Sequence, residues 1–332
     1  MHNRLSAIAD GPRRSATGGE PRFARIAGAT RSYSGAAGKE GPLRQPSPAA
    51  RAAWQADPVE FIRRELGADP WSKQVEIIEA VRDCPRVAVR SCNGSGKTYI
   101  AAHVVLWWLM CFPDALAITT APTEHQVRDV LWREIRRAYR GKEDLIQGTL
   151  LRTSLEIADK HYALGLSTDT PERFQGFHEG HILFVVDEAS GVREGIFEAI
   201  EGSMTSEHAR MLLLGNPTSL SGYFFEAFHR RRALWRTVHI SAFDTPNLRG
   251  DGVVLPTLVT PKWVQDAEQN WGSESPMYQI RVLGEFPSEA EDTLVPLRLI
   301  EAAVARWKQP RAAAVPSPLV GEGEGKGSPG TG

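Results

Sequence analysis

Cysteine is scarce. Cys84, Cys92 and Cys111 are the three in a chain of 332 residues, and they form neither a C-x-x-C pair nor a zinc-finger spacing. This argues against a disulfide-stapled scaffold or a zinc site and fits a reducing compartment, with the cytoplasm as the default. A net excess of charge is lacking too. Thirty-nine Lys and Arg stand against 40 Asp and Glu, a formal charge of -1, so the whole-chain balance names no acidic partner and any nucleic-acid surface must be local. Long apolar runs are also missing. The longest, VVLWWLMCF at 104–112, is about half of what a membrane span needs and continues a helix-like motif, so it reads as a buried core helix. No internal repeat is present.

The ends are poor in anything to bury. Residues 1–50 are rich in Arg, Gly, Ala, Ser and Pro without a sustained apolar period, which reads as a disordered basic tail. Asp10, Glu20 and Glu40 and the lack of an amphipathic repeat argue against a transit peptide. QPRAAAVPSPLVGEGEGKGSPGTG, 309–332, is Pro and Gly punctuation and is expected to be loose.

Between the ends the pattern alternates. RVAVRS (86–91) and DALAITT (114–120) are short apolar runs, followed by the helix-like KTYIAAHVVLWWLM and EHQVRDVLWREIRRAY. LEIADKHYALGLST alternates like a hairpin, while HILFVVDEAS and ARMLLLGNPTS are apolar strands ending in polar turns. Such strands, buried on both faces, predict an α/β fold with a mainly parallel sheet and helices on either side.

Two strand ends carry chemistry. SCNGSGKT (91–98) has the ending of a phosphate-binding loop, with Ser91 where the usual first glycine stands. Gly94 and Gly96 let the backbone turn its N–H groups around an anion, Lys97 offers a point charge to the β and γ phosphates, and Thr98 can hold Mg²⁺. ILFVVDE (182–188) brings Asp187 and Glu188 to the carboxyl edge of the sheet. There Asp187 binds Mg²⁺ through water, and Glu188 orients and deprotonates the water that attacks the γ phosphate. A Gly-rich turn and a solvated strand end are the bland alternatives, but their co-occurrence makes a P-loop NTPase the stronger reading.

The succession WSKQ (71–74), SCNGSGKT, TTAPTEHQV (119–127), FQGFHEGHILFVVDEASGV (174–192), LLLGNPTS (212–219) and VLGEFP (282–287) resembles the ATPase half of the phage terminase large subunit, over residues 54–295. The resemblance implies an ATP-driven motor that moves double-stranded DNA non-specifically into a procapsid inside a bacterial host. It also implies a homo-oligomeric ring at the portal, a small terminase subunit as partner, and no membrane. The implied nucleotide residues are Gln74, Ser91, Cys92, Asn93, Gly94, Ser95, Gly96, Lys97, Thr98 and Asn216, with Mg²⁺ at Thr98 and Asp187 and catalysis by Lys97 and Glu188. The Gln74 amide has the donor and acceptor pair that matches N6 and N7 of adenine, with Trp71 able to pack against the base. Asn216 reads as a phosphate sensor, or otherwise as a turn-former before Pro217.

An arginine near the transferred phosphate is implied as well, and Arg90, Arg128 and Arg173 all remain candidates. DNA phosphates have two candidate grips, Arg133, Arg136, Arg137 and Arg140 at helical spacing and Arg230, Arg231, Arg232 and Arg236, against a solvated surface in each case. Residues 51–295 are thus expected to form the ATPase, with 256–295 as lid or linker and 296–332 as a short helix and tail. A full terminase large subunit continues into a nuclease built on several acids. After Val295 the acids are Glu301, Glu322 and Glu324, none in a strand-like run, so the nuclease is expected to be absent, encoded separately or lost by truncation. A helicase-like translocase outside packaging and a non-catalytic prophage remnant are the alternatives.

Overall fold

The computed structural model describes residues 46–167, 170–250 and 255–288, with positions 303, 304, 306 and 307. Most of the expected tails, with Asp10, Glu20, Glu40, Glu301, Glu322 and Glu324, lie outside the described residues. Three helices come first among the described residues: α1 (Pro48–Ala56), α2 (Pro58–Arg64) and α3 (Ser72–Asp83). α1 therefore begins inside the segment read as a tail. Its start is marked by the Ser47 side chain, which accepts from the Ala50 N–H, and by proline in the first turn.

The core then runs β1 (Arg86–Ser91), α4 (Lys97–Cys111), β2 (Ala115–Ala121), a π-helical segment Gln126–Leu131, α5 (Trp132–Tyr139), β3 (Thr149–Leu150), β4 (Ser154–Ala158), β5 (His161–Ser167) and β6 (His181–Val186). It continues through α6 (Glu194–Ser203), β7 (His208–Gly215), α7 (Gly222–Phe228), β8 (Arg236–Ile240), α8 (Pro246–Arg249), α9 (Pro261–Trp271), α10 (Pro276–Tyr278) and a second π-helical segment, Gln279–Leu283. The eight strands are ordered β3-β4-β5-β2-β6-β7-β1-β8. β5, β2, β6, β7, β1 and β8 are parallel, and the β4–β5 hairpin adds an antiparallel edge.

Period-two alternation sorts the strand residues onto two cores. Val87, Val89, Ala115, Ala117, Leu183, Val185, Leu212 and Leu214 face α3, α4 and α5. Ala88, Leu116, Ile118, Ile182, Phe184, Val186, Met211 and Leu213 face α6 and α7. The 104–112 run falls largely in α4, whose residues from Ile100 to Cys111 are all buried. A helix apolar all round must be enclosed, and α1 completes the enclosure. Trp107 Nε1 donates to the Trp54 carbonyl at 2.9 Å, and Gln55 Nε2 donates to the Cys111 carbonyl at 2.6 Å. The second bond satisfies a helix-end carbonyl that would otherwise lack a donor.

The segment expected as lid or linker has no core of its own among the described residues. Val259, Val264, Ala267, Tyr278 and Val282 join the cluster that holds α3 and α4.

Candidate nucleotide site

The site is assembled where β1, β6 and β7 end. Ser91 closes β1 fully buried, and its backbone is not among the described residues of positive φ. The missing first glycine is therefore no defect, because this position needs no left-handed conformation. Gly94 and Gly96 do need one, with φ of 62° and 76°. A Cβ on Gly94 would lie 3.1 Å from the Val259 nitrogen, and one on Gly96 would lie 2.7 Å from Gln74 Nε2.

Two loop residues depart from expectation. Cys92 N–H donates to the Ile240 carbonyl and Asn93 N–H to the Arg281 carbonyl, both at 2.8 Å, so neither amide is turned toward a phosphate. The Cys92 thiol is fully buried, and burial pushes it up to about 12, which leaves it an inert packing group. The anion-facing donors are left to the later part of the loop. α4 has no side-chain cap at its N-terminus, and its first-turn N–H groups have no helical partner. Ser95 Oγ is buried and lacks a hydrogen-bond partner, as expected of a donor reserved for a ligand oxygen.

Gln74 has a structural role at the loop as well. Its Oε1 accepts from the Trp71 N–H at 3.3 Å and its Nε2 donates to the Gly96 carbonyl at 3.1 Å. Each end of the amide makes one backbone bond, so Gln74 braces the loop against α3 and keeps a second N–H and a second lone pair.

The charged residues converge. Lys97 Nζ lies 3.2 Å from Glu188 Oε1 and donates to Asn216 Oδ1 at 3.2 Å, while Asn216 Nδ2 donates to the Ser91 carbonyl at 2.6 Å. Asn216 thereby ties the loop's entry to its lysine. Thr98 Oγ1 donates to Asp187 Oδ2 at 2.8 Å across 89 residues of sequence, and the Glu188 N–H donates to Asp187 Oδ1 at 3.0 Å. Burial, and then the Glu188 charge, raise the Asp187 carboxyl well above the ordinary range, against the pull of Lys97 and Thr98. A cation would relieve both causes. Thr98 and Asp187 suit Mg²⁺, which takes few protein ligands and completes its shell with water and phosphate oxygens. Among the described residues no cluster of three His, Cys, Asp or Glu is poised to hold a metal. Ser190 was not singled out from sequence. Its Oγ donates to the Asn216 carbonyl at 2.8 Å and lies 2.9 Å from Thr218 Oγ1, linking the turns after β6 and β7.

The arginine candidates are mostly engaged elsewhere. Arg90 pairs with Glu285 and lies over the rings of Phe228 and Phe286. Arg128 pairs with Asp129 at 2.7 Å and Glu124 at 3.2 Å. Arg173 lies in the turn Pro171–Phe174, with Nη1 3.5 Å from Ser167 Oγ.

The fold that carries this site has counterparts among solved structures. The ATPase domain of the Thermus phage P74-26 large terminase superposes with a TM-score of 0.54 at 18% identity, covering 68% of this chain and 97% of that one. The fold is that of a large-terminase ATPase domain. A large terminase from a thermophilic bacteriophage, solved with ADP, gives 0.52 at 14% identity, covering 65% of this chain and 53% of that one. In sequence, the chain is similar to a probable terminase large subunit of Enterobacteria phage P7, 29% identical over 260 residues, which is 73% of this chain. The chain spans about half the length of that curated relative, 50%. No family model matches. No helix among the described residues is long and apolar enough to cross a membrane.

Proposed function

We propose that this chain binds and hydrolyses ATP as the motor part of a phage DNA-packaging terminase, working on double-stranded DNA in the host cytoplasm with portal and small subunit as partners. The observation that carries the reading is the convergence of Lys97, Thr98, Asp187, Glu188 and Asn216 at one uncapped helix N-terminus.

The geometry suggests an order of events. Without nucleotide, Lys97 is neutralised by Glu188, which keeps that carboxylate occupied. Phosphate oxygens entering the loop compete for Lys97, and Glu188 is released to accept a hydrogen bond from water. Attack by that water on the γ phosphorus forms the new P–O bond as the bond to the ADP oxygen breaks, and the water proton passes to Glu188. Thr98 and Asp187 would hold Mg²⁺, which when bound would neutralise charge on the phosphates. Asn216, bonded to both Lys97 and the Ser91 carbonyl, registers the loss of phosphate and relays it to the end of β7.

The test separates binding from chemistry. Lys97→Ala is expected to abolish ATP binding in a titration. Glu188→Gln keeps shape and hydrogen bonding, so it is expected to retain ATP while turnover falls by roughly 10² or more. Parent-like hydrolysis by Glu188→Gln would move the catalytic base to another carboxylate.

A further inference from the structure

The loop is fastened on its outer side by the two segments that flank α9. The Asn93 N–H donates to the Arg281 carbonyl at 2.8 Å, and the Val259 N–H donates to the Gly94 carbonyl at 2.9 Å. Gly284 lies so close that a Cβ there would sit 2.5 Å from the Ile240 carbonyl oxygen and 2.8 Å from the Cys92 nitrogen. The backbone of Arg281 is thus fixed against the phosphate loop.

It is fixed at a particular end of it. Asn216 bridges the Ser91 carbonyl and Lys97 Nζ, so the entry of the loop lies beside the lysine and the acidic pair, where the terminal phosphate belongs. The other end of the loop, at Gly96, is braced by Gln74. Asn93 is two residues from Ser91, so the backbone of Arg281 stands beside that entry.

One nitrogen of this arginine is unsatisfied. Arg281 Nε is buried without a hydrogen-bond partner, and no described residue pairs with this side chain. Arg90 and Arg128, by contrast, are both matched by carboxylates. The electrostatics ask for another cation, since Lys97 is the positive group bonded into a site that holds Asp187 and Glu188 and must admit a triphosphate.

Resting on the nucleotide reading above, we infer that Arg281 is a further nucleotide-binding residue, which takes an oxygen of the terminal phosphate from within the same chain. The π-helical segment Gln279–Leu283 and Gly284 set its position, and its planar fork suits a phosphate oxygen pair. Its bond to Asn93 is through the backbone, so substitution of the side chain leaves that fastening in place.

The experiment is calorimetric titration of the full chain with Mg²⁺-ATPγS and with Mg²⁺-ADP, for the parent, Lys97→Ala, Arg281→Ala and Arg281→Lys, each checked for a parent-like unfolding midpoint. Arg281→Ala is expected to weaken ATPγS by about tenfold while ADP changes less than about threefold, with Arg281→Lys in between. Parent-like ATPγS affinity in Arg281→Ala, while Lys97→Ala fails to bind, overturns this inference and leaves the ATP site intact. Equal losses for both nucleotides overturn it as well, since they would mark a residue that shapes the loop. A parent that binds neither nucleotide overturns the ATP site itself.

Discussion

Glu188 adopts a left-handed backbone, φ 50°, in a residue with a full side chain. Such a conformation costs about 1 kcal/mol or more and persists where its surroundings over-determine it. Here those surroundings are the Asp187 carboxylate on its N–H and the Lys97 ammonium on its side chain, so the strain aims a one-third-exposed carboxylate at the loop. Asp187 carries the other cost. Its carboxyl is raised from 3.8 to about 6, which means the folded state holds the proton more tightly than the unfolded state. Stability is therefore lost as pH rises from the ordinary carboxylate range through about 6, because the folded protein must then keep a buried anion. Asp187→Asn keeps the shape and removes that anion. Without metal or nucleotide, the variant is expected to be more stable than the parent by about 1–3 kcal/mol at pH 7.5 and equal to it near pH 4. Thermal unfolding across that range reads the difference, and superimposable curves for the two proteins would contradict a raised Asp187.

At the scale of elements, the sequence was legible wherever burial on both faces leaves an uninterrupted apolar run. β1, β2, β6, β7 and α4 fall on or within a few residues of RVAVRS, DALAITT, HILFVVDEAS, ARMLLLGNPTS and the lysine-led helix, and the hairpin closes between Ala158 and His161. Bonds between distant segments were not legible. The Cys92 and Asn93 amides look like loop donors until Ile240 and Arg281 are seen to claim them, and Gln74 looks free until the fold brings Gly96 to it. β8, with two arginine-rich turns before it, was masked by local charge. VLGEFP was visible as a motif, yet only packing explains its glycine. Gly284 combines φ 66° with close approach to Cys92 and Ile240, so Gly284→Ala must strain its own backbone and push on the phosphate loop. The expected cost is about 1–3 kcal/mol of stability, together with weaker ATP binding. Thermal unfolding and nucleotide titration measure both. A variant matching the parent in each would show that the segment does not bear on the loop.

Across the whole molecule, a formal charge of -1 leaves DNA binding to a local surface, and the pairing of arginines decides between the two candidates. In the second cluster Arg230 has Glu226 at 2.7 Å and Arg236 has Glu76 at 3.4 Å, each with its own carboxylate, while Arg231 lies over the Tyr223 ring. On α5, Arg133 and Arg137 share one carboxylate, Glu134, at 3.6 and 3.8 Å. Arg136 is spent on the Arg128 and Arg152 carbonyls, whereas Arg140 ends the helix near Glu143, whose carboxyl it helps to lower. Both faces keep a positive surplus, since Arg232 pairs with no described carboxylate, and the α5 face is the phosphate grip to test first because Arg133 and Arg137 share a single carboxylate on one helix. A grip of this kind reads no bases, so affinity for duplexes of unrelated sequence is expected to be the same. Changing Arg133, Arg137 and Arg140 together to Ala is expected to weaken duplex binding and to reduce the steepness of log K against log salt by about two to three, close to one unit for each DNA phosphate that is no longer neutralised. Glu134 is left exposed by the change, and ATP hydrolysis by the free protein, which draws on none of these residues, should stay at the parent rate. Fluorescence anisotropy on a labelled duplex between low and moderate salt gives the slope directly. An unchanged slope in the triple variant, with the weakening appearing instead when Arg230, Arg231 and Arg232 are removed, would transfer the DNA track to the turn after α7.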